Sequence, residues 1–206
     1  IFRALEAPEA IATMNTDSQE DAEARYRSYK EHYWDNIAFD DERLVYTPLL
    51  QSKLEEYFTK LVPGIPDTFN KEADIVVEKA RASKEMFKYI VHWITNYAQE
   101  SNLMGMDAVF VHMVEAYYMK GDAFWLNQGT LEKYMERARA IAPNVIGNIA
   151  PELNVTKLDG GEFALSRLDA KYTLLVFWSP DCGHCEEEIP RIDSMIKAEG
   201  FEKKGL

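Results

Sequence analysis

The chain has 206 residues, 47% hydrophobic and 12% aromatic, enough for a packed core in one large domain or two small ones. Its formal net charge of −12 makes a surface that repels phosphate backbones, which argues against nucleic acid as a partner. No apolar run approaches the ~20 residues of a bilayer-crossing helix, and two cysteines are too few for a disulfide-dense secreted scaffold.

The first residue is Ile1 rather than Met, so the start is expected to have been cut; any signal peptide or membrane anchor would lie in the missing N-terminal part. Residues 1–18, with Pro8 and the polar stretch TMNTDS, read as a loosely packed lead-in, with Asp17 or Ser18 as a helix N-cap. From 19 to 35, Tyr26, Tyr29, Tyr33 and Trp34 fall at helical spacing, and FDDERLVYTP then turns the chain. Over 47–63, Pro48 sits where a first helical turn accepts proline, and Leu50, Leu54, Tyr57, Phe58 and Leu61 form an apolar stripe. GIPD breaks that helix. Further helices are predicted over 68–82, 84–101 and 106–119, the last stopping at Gly121, and over 130–141, ended by Ala142-Pro143-Asn144. No sustained two-residue alternation and no fixed repeat occur here, so 19–146 reads as an all-α domain rather than a solenoid.

The texture changes at 147. APELNVTKLDGGEFALSRL reads as a loop, a hairpin around Asp159-Gly160-Gly161 and a return strand. YTLLVFWS, 172–179, is a continuous apolar run suited to a central strand covered on both faces. From Cys182 to about Glu199 the pattern is helical again. The fold class expected is an α N-terminal domain followed by a partial α/β unit over 147–206.

Both cysteines lie in Cys182-Gly183-His184-Cys185, at the junction of the expected strand and helix. Free backbone N–H groups and the helix dipole stabilise a thiolate at such a position. Gly183 is expected to relieve crowding at the turn, and His184 to favour the thiolate by charge or a hydrogen bond. Asp181 and Glu186–Glu188 act in the opposite direction. Cys182, at the exposed end, is expected to attack, and the more buried Cys185 to resolve the mixed disulfide. Pro190 falls inside the same helix, where it removes a hydrogen bond and bends the axis. Half a metal site and two inert thiols are the alternatives. A structural zinc site needs four ligands, usually two such pairs, whereas His32, His92 and His112 all lie in the helical region, so no metal is expected.

YTLLVFWSPDCGHCEEEIPRID resembles the active-site strand and helix of the thioredoxin-like family, closest to the extracytoplasmic bacterial thiol–disulfide oxidoreductases related to peroxiredoxins and cytochrome-maturation proteins. The likeness rests on Phe177-Trp178, the tetrad at 182–185 and Pro190, with Trp178 and Pro180 as structural neighbours of the site. The preceding 150–173 is similar to that subgroup's opening hairpin. The resemblance implies dithiol–disulfide exchange with protein thiols and a redox partner protein, no bound cofactor, and a periplasmic or cell-envelope location. DERLVYTPLLQSKLEEYF and SNLMGMDAVFVHMVEAYYMKGDAFWL resemble an uncharacterised helical domain that precedes such domains in Gram-negative envelope proteins. That second likeness implies no activity.

The family fold has further strands and a cis-proline loop after this helix, whereas only EGFEKKGL follows here. Val176 also stands where many thioredoxins keep a buried acid. The chain is therefore expected to be a truncation or proteolytic product of a longer oxidoreductase, weak or inactive by itself. The uncovered apolar run would be shielded by the helical domain or by a second copy through strand exchange. His92 and His112 read as core or half-buried histidines, Met104 to Asp107 as a helix start, Glu186–Glu188 as a solvated face, and Tyr117, Tyr118, Phe124 and Trp125 as core. A binding or scaffold protein, whose helical domain recognises a partner beside a non-catalytic thioredoxin-like part, is the second reading.

Overall fold

The computed structural model describes residues 19–200, so the lead-in expected over 1–18 lies outside the described residues. The chain divides into two compact units, Ile1–Ala150 and Pro151–Leu206.

The ordered elements of the first unit are all helical among its described residues. It comprises α1 (Gln19–Glu31), α2 (Pro48–Glu56), α3 (Pro66–Lys79), α4 (Lys84–Glu100), α5 (Met106–Met113) and α6 (Gln128–Ile141), with a 3₁₀ turn at Glu42–Tyr46. Local chemistry sets the starts. Pro48 and Pro66 occupy first-turn positions, where the missing N–H costs nothing. Ser83 accepts from the Met86 N–H, and Asn127 from the Thr130 N–H, each satisfying a donor the helix cannot. The third helix therefore begins at Pro66, two residues before the apolar pattern alone suggests.

α4 is the centre of the unit. Met86, Phe87, Ile90, Val91, Ile94 and Ala98 are buried along one face, against Val109, Phe110 and Met113 of α5 and Ala73, Val76 and Val77 of α3. Each such side chain contributes about 1.5–3 kcal/mol by leaving water. Two helices read from the sequence as continuous change pitch before they end. α2 runs into a π turn at Tyr57–Leu61, and α5 into one at Val114–Tyr118. Each turn carries an adjacent pair of buried rings, Tyr57 with Phe58 and Tyr117 with Tyr118. Gly105 precedes α5 at φ +90°, and a Cβ there would lie 2.8 Å from Cγ of Pro66. The turn before α5 thus requires glycine on two counts.

The second unit holds a hairpin and one long helix. β1 (Asn154–Thr156) pairs antiparallel with β2 (Glu162–Ala164), Val155 opposite Phe163. Asp159 closes the turn by accepting from the Gly161 N–H at 2.9 Å, and Gly160 takes φ +82°. α7 spans Gly183–Glu199 and ends at Gly200 in the left-handed region. The fold class is therefore a mostly helical N-terminal region followed by a small α/β part.

One expected element is absent. Residues 172–179 form no strand, because no neighbouring segment among the described residues supplies the ladder hydrogen bonds. Their apolar side chains are exposed, Phe177 by 81% and Trp178 by 60%. None of the described residues 151–200 is buried.

Candidate redox site

The cysteine pair is built by the turn that opens α7. The Cys182 N–H donates to the Ser179 carbonyl at 3.2 Å, bringing residue 182 back over the turn. Cys182 has extended backbone angles and is the N-cap, so its carbonyl accepts from both the Cys185 and Glu186 N–H groups, at 2.9 and 3.2 Å. Its sulfur also accepts from the Cys185 N–H, at 3.3 Å. That side-chain interaction is the one a serine or aspartate cap makes, here made by sulfur. Cys182 and Cys185 form a disulfide with their Cα atoms 5.2 Å apart, within the range a bridge requires.

The surroundings differ from expectation in three respects. Cys182 and Cys185 are both half-buried, and neither is enclosed as a core residue is. A Cβ at Gly183 would meet no atom within 4 Å, and its φ is not positive, so Gly183 does not relieve crowding. Glycine leaves the backbone beside the disulfide open instead. His184 is exposed and hydrogen-bonds to neither sulfur, so any influence on the pair acts through space.

Glu186, Glu187 and Glu188 are exposed, and Glu188 pairs with Arg191 at 2.6 Å. Pro190 lies inside α7, and the Ser194 hydroxyl donates to its carbonyl at 2.8 Å. Proline has no N–H, so the Glu186 carbonyl loses its helical donor and the turn after the cysteines is weakened. Pro180 is exposed, as are Trp178 and Val176. Among the described residues, no group of three or more His, Cys, Asp or Glu side chains is placed to hold a metal ion.

The other histidines lie in the helical unit. His112 is half-buried, its Nε2 2.9 Å from Asp74 Oδ1, and the Tyr117 hydroxyl donates to the same oxygen at 2.6 Å. Burial and this bond raise the Tyr117 phenol far above its ordinary value. His92 is exposed, contrary to expectation, because the buried face of α4 runs through residues 90, 91, 94 and 98 and turns residue 92 outward.

A family model described as a domain of unknown function, DUF5106, matches residues 6–144. The chain belongs to the DUF5106 family. That match covers the helical unit, and a second model, of the AhpC/TSA family, matches residues 146–206, the stretch that carries the cysteine pair. The two matches together give a DUF5106 domain followed by a partial thioredoxin-like domain. A thioredoxin-like protein from Bacteroides caccae ATCC 43185, known from a crystal structure at 1.90 Å resolution, is similar with a TM-score of 0.63 and 24% identity. The likeness covers 90% of this chain and 70% of that one, and at that identity it shows the fold. A comparison with curated proteins gives no match.

Proposed function

We propose that this chain is a thiol–disulfide oxidoreductase acting on protein thiols and disulfides through Cys182 and Cys185. The observation that carries the reading is the disulfide at the start of α7, with the Cys182 sulfur accepting from a backbone N–H of the helix it caps. The same N–H and the helix dipole stabilise negative charge on that sulfur once the bridge is open.

In the reducing direction, the Cys182 thiolate attacks one sulfur of a substrate disulfide and expels the other as a thiolate. The Cys185 thiol gives its proton to solvent, and its sulfur attacks Cys182 in the mixed disulfide. The second substrate thiolate leaves, and two electrons have passed from the pair to the substrate. The oxidised pair runs the same steps backwards, a substrate thiolate attacking Cys182. Gly183 leaves the approach open, and His184 lends positive charge when protonated. Partners are protein thiols and a redox partner protein, and the compartment we propose is the periplasm or cell envelope, on the likeness of 172–193 to extracytoplasmic oxidoreductases.

Dithiothreitol-driven insulin reduction tests this, with Cys182→Ser and Cys185→Ser as controls. Turnover that Cys182→Ser abolishes and Cys185→Ser lowers supports it; turnover unchanged by either contradicts it. A second reading, a helical binding or scaffold protein with a non-catalytic thioredoxin-like part, draws on one observation: the buried core lies in the helical unit, and none of 151–200 is buried. Specific capture of a partner by the helical unit, unchanged by Cys182→Ser and Cys185→Ser, favours it.

A further inference from the structure

The outward face of α4 carries an aromatic, electronegative groove. Two clefts of about 480 and 340 Å³ meet at Tyr89 and His92. The first is lined by Trp93, Tyr97, Glu55 and Glu100, the second by Tyr46, Glu85 and Trp125. From Glu85 to Glu100, α4 rises by about 22 Å, the span of about seven residues of extended peptide.

The charge is net negative. Lys88, the one lysine or arginine lining either cleft, pairs with Glu85 at 3.5 Å, but among the described residues no cation pairs with Glu55 or Glu100. Glu100 is the last residue of α4, whose final turn carries no basic side chain, so its carboxylate sits at the negative end of the helix dipole. Burial and the Glu55 charge together raise the Tyr89 phenol, so the field of that carboxylate reaches the ring where the clefts meet.

We infer that this groove binds an extended, basic peptide segment of another protein. Lysine or arginine heads would meet Glu55 and Glu100, with their stems and the intervening residues against Tyr46 and Tyr89, Tyr46 being 78% exposed. Tyr97 gives a sugar no stacking platform, because it lies between near-parallel rings, Trp93 at 5.4 Å and 12° and Phe69 at 5.7 Å and 8°. The groove lies wholly in the helical unit and does not depend on the cysteine chemistry.

The test is fluorescence anisotropy of a fluorescein-labelled peptide of alternating lysine and proline, titrated with the 206-residue chain. Saturable binding is expected, weakened about ten-fold by Tyr46→Ala. The double change Glu55→Gln, Glu100→Gln should weaken it about five-fold at low salt, an effect that fades as salt is added. These three side chains are exposed, so the variants keep the fold, and the Cys182→Ser chain binds as wild type does. No saturable binding, equal affinity for a glutamate–proline peptide, indifference to all these substitutions, or binding of maltohexaose in place of the peptide overturns the inference.

Discussion

The Cys185 N–H lies 3.3 Å from the sulfur of Cys182, the atom to which its own side chain is bonded. The residue that closes the disulfide thus also supplies the donor that steadies the other sulfur. This follows from the spacing: an N-cap side chain reaches the N–H three residues on, and two residues separate the cysteines.

Serine at position 182 should keep the helix start and lose the chemistry. Its oxygen caps the Cys185 N–H as sulfur does, so far-ultraviolet circular dichroism is expected to match wild type while insulin reduction disappears. Serine at 185 should instead leave Cys182 able to attack but unable to be released. A stable mixed disulfide with a substrate thiol, seen as an added mass under non-reducing conditions and removed by dithiothreitol, is the expected result. Equal trapping by both variants would contradict the assignment of Cys182 as nucleophile.

Gly183→Ala tests the finding that no atom lies near that position. With open space and no positive φ, alanine should be accepted. Helicity should hold. A large loss of helicity would mean that the turn is tighter than 4 Å of open space implies.

Gly105→Ala should be costly, through both the left-handed backbone and the approach to Pro66. Gly121 shares the backbone conformation, at φ +87°, but has no atom within 4 Å of a Cβ. Alanine at 121 is expected to lose about 1–2 kcal/mol, and alanine at 105 more than that, by urea unfolding. Equal losses would show that Pro66 moves aside freely.

Asp41 supplies a pH prediction. Two side-chain hydrogen bonds from Arg43, at 2.7 Å each, hold its carboxyl down at about 2 while it caps the 3₁₀ turn. A lowered value means that its contribution to stability is complete above the unfolded-state value of ~3.9 and is lost as pH falls through about 2. An NMR titration of the carboxyl should show a midpoint near 2, moving up towards the ordinary range in Arg43→Ala. An ordinary midpoint in the wild-type chain would contradict the ion pair.

The helices are legible in the sequence where apolar residues repeat at helical spacing. In α4 the repeat predicts the buried face, and the same geometry places His92 outward, a step the local apolar context of YIVHWITNY obscures. The pitch changes at Tyr57–Leu61 and Val114–Tyr118 are not legible, because adjacent inward aromatics read equally well as a wide stripe on a regular helix. Residues 172–179 mark another boundary. Apolar composition records that a segment is suited to burial, whereas strand structure also needs a hydrogen-bonded neighbour, which composition does not supply. The cysteine turn is legible because spacing and capping are both local, while the burial of each sulfur depends on what packs over it.

The most direct test is the acidity of the Cys182 thiol in the reduced chain, followed by thiolate absorbance at 240 nm and by alkylation rate against pH. A helix-capping sulfur that accepts a backbone N–H should titrate below the ~8.5 of an ordinary cysteine, with alkylation at residue 182 outpacing that at 185. A thiol at 182 as weakly acidic as free cysteine, or alkylated no faster than 185, would contradict the redox assignment.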